Sequence, residues 1–154
     1  MEFNYSTMFP LKKDNTEYIK LSDSYIKQEN FYNQKILIID PNALKLISEK
    51  AFFDVSHLFR SSHLIKLKKI LDDPLASDND HFVAKTMLKN ANISSAGVLP
   101  MCQDTGTAIV NCYKGDNVFT GVDDGRYLSE GIYECYKKHN LRFSQLAPIS
   151  MFEE

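Results

Sequence analysis

Four consecutive residues of this 154-residue chain, Cys102, Gln103, Asp104 and Thr105, set a thiol, an amide, a carboxylate and a hydroxyl side by side. Two glycines, Gly97 and Gly106, bound the run GVLPMCQDTG that holds them. Loops carried on rigid elements are where binding and catalytic groups concentrate, because loop backbone can be shaped around a ligand. A plain alternative stands beside that reading: a polar turn in which Asp104 caps its own backbone and Cys102 is a small buried filler. A thiol-based redox role for Cys102 would need a resolving cysteine nearby. Cys112, in a stretch that reads as a strand, suits that poorly.

The elements around this run follow from periodicity and end signals. Upstream, residues 1–16 are polar and turn-like. Residues 17–21 and 34–39 lean to strand, separated by the polar Gln28-Glu29-Asn30 region. Asp40-Pro41 is a helix start: the carboxylate can accept from free backbone amides, and proline loses no needed hydrogen bond at the first position. Leu44, Ile47, Ala51, Val55, Leu58 and Phe59 then fall at helical spacing and predict one buried face running to about Arg60. Ser61 or Ser62 is expected to cap a second helix with Leu64, Leu67, Ile70 and Leu71, ended by Asp73-Pro74. Ser77 with Asp80 three residues on predicts a capping box and a third helix with Val83, Met87 and Ala91 inward.

Downstream of the run, Thr107 to Tyr113 is rich in strand formers, Lys114 to Asn117 turns the chain, and Val118 to Thr120 is expected to pair back as a β-hairpin. Asp123 or Asp124 caps a last helix whose inner face carries Leu128, Ile132 and Cys135 or Tyr136. Together these predict an α+β fold, a helix-rich unit with short strands, one β-hairpin and an incomplete edge.

Bulk composition narrows the function classes. With 44% hydrophobic and 25% charged residues, the chain has the make-up of a globular domain. A net charge of −2 offers no electrostatic footprint for nucleic acid or an anionic membrane, and no apolar run reaches the ~18 residues of a membrane span. The start lacks both a signal core and the arginine-rich look of a transit peptide, so the chain reads as cytoplasmic, with a mitochondrial form left open. Cys102, Cys112 and Cys135 have neither disulfide-framework nor zinc-type spacing. Cys112 and Cys135 read as core thiols. The basic residues are lysines except for Arg60, Arg126 and Arg142. Arginine alone offers a planar fork for carboxylates, so each one is worth testing for a role. Arg126 reads as a solvated helix residue. His57 and His63, near one helix end with Arg60 between them, read as helix-end packing or as support for the site.

GVLPMCQDTGTAIV resembles the signature of class I, iron–sulfur-dependent fumarate hydratases and their relatives, including the larger subunit of iron–sulfur tartrate dehydratase. FPLKKDNTEYIKL (Phe9 to Leu21), HLFRSSH (His57 to His63), DPLASDND (Asp73 to Asp80) and NLRFSQLAPISMFEE resemble the same family, in order and across nearly the whole chain. The resemblance implies a 4Fe–4S cluster held by three cysteines, of which Cys102 is one. It implies that Gln103 and Asp104 line the pocket of a small dicarboxylate substrate, fumarate or malate, that Asp104 has a catalytic role, and that Arg142 binds a substrate carboxylate. The expected activity is reversible hydration of fumarate to malate. A tartrate or methyl-substituted dicarboxylate dehydratase, or a non-catalytic dicarboxylate-binding or docking helper, is the alternative.

Enzymes of this family are several times longer and form dimers, so the resemblance makes residues 1–154 an amino-terminal part of the catalytic domain. A full-length homodimer is expected, with neither nucleic acid nor membrane as partner. One cysteine cannot hold a cubane cluster, so the chain alone is expected to be inactive and to leave apolar faces uncovered.

Overall fold

The computed structural model describes residues 3–6, 17–101 and 108–142. Most of the polar start up to residue 16, the run from Cys102 to Thr107 and the closing stretch from residue 143 lie outside the described residues.

A hairpin comes first, made of β1 (Ile26–Phe31) and β2 (Gln34–Ile39) in antiparallel register from Phe31↔Gln34 to Ile26↔Ile39. Tyr32 and Asn33 form its two-residue turn, both at positive φ (46° and 57°). Left-handed turns of this kind match the right-handed twist of paired strands, and asparagine tolerates them well. The expected strand at 17–21 is not formed, and the stretch read as a polar break is the outer strand itself. Every residue of β1 is exposed, so it carries no in–out alternation for a sequence reading to detect.

Helices α1 (Pro41–His57), α2 (Ser61–Leu71) and α3 (Asp78–Ser94) follow. Asp40 caps α1, accepting from the Asn42 amide at 2.8 Å with Pro41 at the first position, as the sequence indicates. Ser77 and Asp80 form the expected capping box: Ser77 Oγ accepts the Asp80 amide at 3.2 Å, and the Asp80 carboxylate accepts the Ser77 amide at 2.9 Å. The Ser77 hydroxyl also donates to the Asp80 carboxylate at 2.7 Å, and this bond first, the Ser77 amide second, holds the Asp80 carboxyl below its ordinary range. The third helix buries Ala84, Ala91 and Ser94 against its neighbours, while Val83 stays exposed.

The chain then reaches β3 (Val118–Phe119) and α4 (Asp124–His139). β3 lies parallel to β2, pairing Leu37↔Val118 and Ile38↔Phe119, so the sheet order is β1-β2-β3. The hairpin expected between 107–113 and 118–120 is therefore absent: residues 108–113 form no strand, and the chain's hairpin is β1–β2. The open edge of β2 takes the partner instead, with the Leu37 amide donating to the Asn117 carbonyl at 2.8 Å. Strand propensity is outweighed by whichever edge is within reach. Asp123 caps α4 through the Arg126 amide at 3.2 Å.

Helix α1 turns a different face inward from the one its apolar spacing predicts. Ile47 and Val55 are 52% and 64% exposed, whereas Ser48, Ser56 and His57 are buried. At Ser48 the cause is the closeness of α4. A Cβ on Gly131 would stand 2.1 Å from Ser48 Oγ and 2.3 Å from the Lys45 carbonyl oxygen, so only the smallest residues fit at this crossing. Ser48 satisfies its hydroxyl within its own helix, donating to Lys45 O at 3.1 Å. Among the described residues the buried apolar set is small: Leu67, Ala84, Ala91, Met101, Cys135 and Leu141.

Candidate functional site

Helices α1 and α4 run in the same direction, because their contacts rise together in number: Lys45 with Glu130, Phe52 with Tyr136, Glu49 with Lys138 and Phe53 with His139. Lys45 and then Arg126 pull the Glu130 carboxyl below its ordinary range. These ion pairs are solvated and worth little each, so the close seam at Gly131 sets the alignment. Parallel alignment brings the carboxyl-terminal ends of both helices to one end of the pair. There Phe53 packs against His139 with ring centroids 4.6 Å apart, and His57 lies 6.3 Å from His139.

The segment leading to Cys102 is tied to this end of α1. Ser94, fully buried at the close of α3, donates its hydroxyl to the His57 carbonyl at 2.9 Å. Gly97 then turns the chain at φ 72°, with its Cα face against Phe53; a Cβ there would meet Phe53 Cζ at 3.0 Å. Glycine is required on both counts, since other residues resist that φ and have no room for a side chain. Met101, buried, donates its amide to the Ser56 carbonyl at 2.8 Å. The carbonyls of Ser56 and His57, left free by the ending of α1, are thus satisfied by the approach to Cys102.

The other helix delivers Arg142. Asn140 ends α4 in the left-handed conformation (φ 49°, ψ 44°), and the Leu141 amide donates back to the Tyr136 carbonyl at 3.0 Å. Leu141 is buried and anchors the turn, so the chain emerges with Arg142 exposed, three residues past His139. Arg142 and the residue preceding Cys102 are therefore delivered to the same end of the α1–α4 pair. Two carboxyl-terminal helix ends carry partial negative charge, which favours a guanidinium there.

Cys102, Gln103 and Asp104 themselves lie outside the described residues. Among the described residues no group of three or more His, Cys, Asp or Glu could hold a metal ion. Cys135 is buried in the α1–α4 seam, as its reading as a core thiol expects; Cys112 is exposed and outside any strand, which corrects that reading for it. The pair of histidines separates: His63 is exposed and rests on Phe59 at 4.8 Å, whereas His57 is 1% exposed and stacks on Phe53 at 4.3 Å. Nothing in the sequence distinguished the two. Arg126 is a solvated helix residue paired with Glu130 through Nε at 3.1 Å.

Comparisons with known proteins place these features. A family model described as fumarate hydratase (Fumerase) matches residues 45–154. Over 99% of its length the chain is similar to fumarate hydratase 1, mitochondrial, of Leishmania major, at 50% identity. It is 46% identical to the class I, aerobic fumarate hydratase of Escherichia coli and 45% identical to the class I, anaerobic one, again over 99% of the chain. It spans 28% of the length of each of these relatives. No helix among the described residues is long and apolar enough to cross a membrane. The match from within α1 through Arg142, with relatives of one kind aligned along nearly the whole chain, means that this chain belongs to the fumarate hydratase (Fumerase) family.

Proposed function

We propose that residues 1–154 are the amino-terminal part of a class I fumarate hydratase that interconverts fumarate and (S)-malate in its full-length form. The observation that carries this reading is the delivery of Arg142 and the approach to Cys102 to one end of the α1–α4 pair, in a chain of this family. Uncovered apolar surface supports the fragment reading. Leu75 is 93% exposed, and an apolar groove between α2 and α3, lined by Leu67, Ile70, Val83 and Met87, stands open. A second copy of the full-length chain is the proposed assembly partner.

In this reading Cys102 is one of three thiolate ligands of a 4Fe–4S cluster, its soft sulfur suiting iron, and the remaining two come from beyond this part of the enzyme. When bound, the cluster supplies a Lewis-acidic iron that assists loss or gain of the substrate hydroxyl. The chain's own residues do the rest. The proton removed from malate sits beside a carboxylate, on which negative charge builds in the transition state. Arg142 clamps a substrate carboxylate through two parallel N–H donors, and its fixed charge needs no reorganisation. Gln103 orients the substrate by its amide. Asp104 holds or relays a proton.

Anaerobic iron–sulfide reconstitution of the full-length protein tests the reading. A brown protein that hydrates fumarate, in preference to dehydrating tartrate or a methyl-substituted malate, is expected, and Cys102→Ser should lose both colour and activity. Asp104→Asn should lower turnover by roughly 10²–10⁴-fold with a much smaller change in KM. A colourless, inactive full-length protein overturns the hydratase assignment, and unchanged turnover in Asp104→Asn overturns its role.

A further inference from the structure

Helices α2 and α3 form a hairpin that packs chiefly on itself and only lightly on the α1–α4 pair. The groove between them, about 550 Å³, is lined by Leu67 and Ile70 from α2, Val83 and Met87 from α3, and Leu75 from the turn that joins them. Ile70, Leu75 and Val83 are exposed. Single apolar side chains at a surface need no explanation, but a set gathered along one groove marks an interaction surface.

Charge on the hairpin is sorted by position. Between Ser61 and Ser94 its four aspartates all fall within residues 72–80, at the tip, and its five lysines all lie on the helices either side. Helix dipoles favour Asp78 and Asp80 at the start of α3, but they disfavour Asp72 and Asp73 at the end of α2. The polar rim of the groove is correspondingly Asp73, Asn79 and Asp80, with no lysine. At the other end of the groove stands Lys66, one turn before Ile70, and it makes no ion pair among the described residues.

Opposite charges at the two ends of one apolar groove make the surface complementary to itself. A two-fold axis requires this, since each residue of an isologous contact meets its counterpart's partner. Lys66 and Asp73 lie seven residues apart, with Ile70 within one residue of their midpoint. We infer that the α2–α3 hairpin is the docking surface for a second copy of this chain. The two α2 helices run antiparallel, Ile70 sits near the axis, and Lys66 of each copy faces the Asp73 end of the other. Leu75 of one copy then covers apolar surface of the other. The inference rests on the assembly proposed above for there being a second copy, and it supplies the place where that copy binds. A cover drawn from the same chain would bury the groove equally well, but it would not need both charges spaced about one central residue.

The full-length protein tests it in two ways. In Ile70→Cys a short bismaleimide linker should join two chains through position 70, read by mass spectrometry of the linked peptides. Absence of that link, or a link from position 70 to a residue beyond 154 of the same chain, overturns the inference. In sedimentation equilibrium, Lys66→Glu and Asp73→Lys should each raise the dimer dissociation constant about tenfold, and Lys66→Glu/Asp73→Lys should bring it back close to wild type. Two turns of helix separate these positions within one chain, too far for them to pair there, so the recovery reads a contact between copies. Single variants as tight as wild type, or a double variant weaker than either, overturn it. Fumarate hydration measured on the same wild-type sample bears on the hydratase assignment alone, so the two failures are seen separately.

Discussion

The amide of Met101 donates to the carbonyl of Ser56 at 2.8 Å, joining residues 45 positions apart in the chain. That bond fastens the threshold of the CQDTG run to the end of α1. The parallel seam with α4 then carries Arg142 to the same end. Two close packings, Gly97 on Phe53 and Gly131 on Ser48, make the arrangement possible.

Gly131→Ala should destabilise the α1–α4 seam by about 1–3 kcal/mol, the usual penalty for overpacking. Trimming the facing hydroxyl should not rescue it. In Ser48→Ala/Gly131→Ala the Lys45 carbonyl oxygen still stands 2.3 Å from the new Cβ, and backbone cannot step aside as a side chain can. Urea unfolding of the single and double variants measures both; recovery in the double variant would show that the helices are free to shift.

Ser77→Ala should lower stability by about 1 kcal/mol through loss of the N-cap. The carboxylate half of the capping box has a definite pH dependence. The folded-state pKa of Asp80 is depressed, so its contribution is fully present above the unfolded value and is lost as pH falls through the lower folded one. The gap between wild type and Ser77→Ala should therefore narrow from about pH 4 downward. Chemical unfolding at pH 7 and pH 3 checks the sign.

Arg142→Lys keeps the charge but not the planar fork. In the reconstituted full-length enzyme it should lower kcat/KM by roughly 10- to 100-fold, the worth of a charge-assisted hydrogen bond. Because Arg142 is exposed and follows the buried anchor Leu141, circular dichroism and the unfolding midpoint should stay unchanged. A variant with wild-type kinetics would remove Arg142 from the proposed carboxylate clamp.

Thiol labelling separates the two remaining cysteines. Cys112 is exposed and should react with a maleimide in the native state, whereas Cys135, fully buried in the seam, should react only on unfolding. Equal native rates would mean that the α1–α4 contact opens readily in solution.

Helix ends were legible because capping is local chemistry. Asp40-Pro41, Ser77 with Asp80, and Asp123 each announce a helix from residues within four positions, and each is found in place. Family membership was legible because short runs such as GVLPMCQDTG and HLFRSSH resemble that family's sequences and need no structure to be read. What local pattern could not supply was partner choice. An outer strand exposed on every residue carries no alternation, so β1 was invisible, and β3 took the open edge of β2 rather than its nearer neighbours.

Sequence by itself determined the helices, the side-chain caps of α1, α3 and α4 and the chemistry offered by Cys102, Gln103, Asp104 and Arg142, whereas α2 is capped by Arg60 without a side-chain bond and not by the serine expected. Tertiary structure decided which face of α1 is buried. Spacing favoured Ile47 and Val55, but at Gly131 α4 approaches too closely for a large side chain, so Ser48 faces inward there. It also decided that His57 and not His63 is buried beside the approach to Cys102, and that Arg142 emerges at the same end. Such choices follow from steric fit between elements far apart in the chain, which no window of neighbouring residues contains.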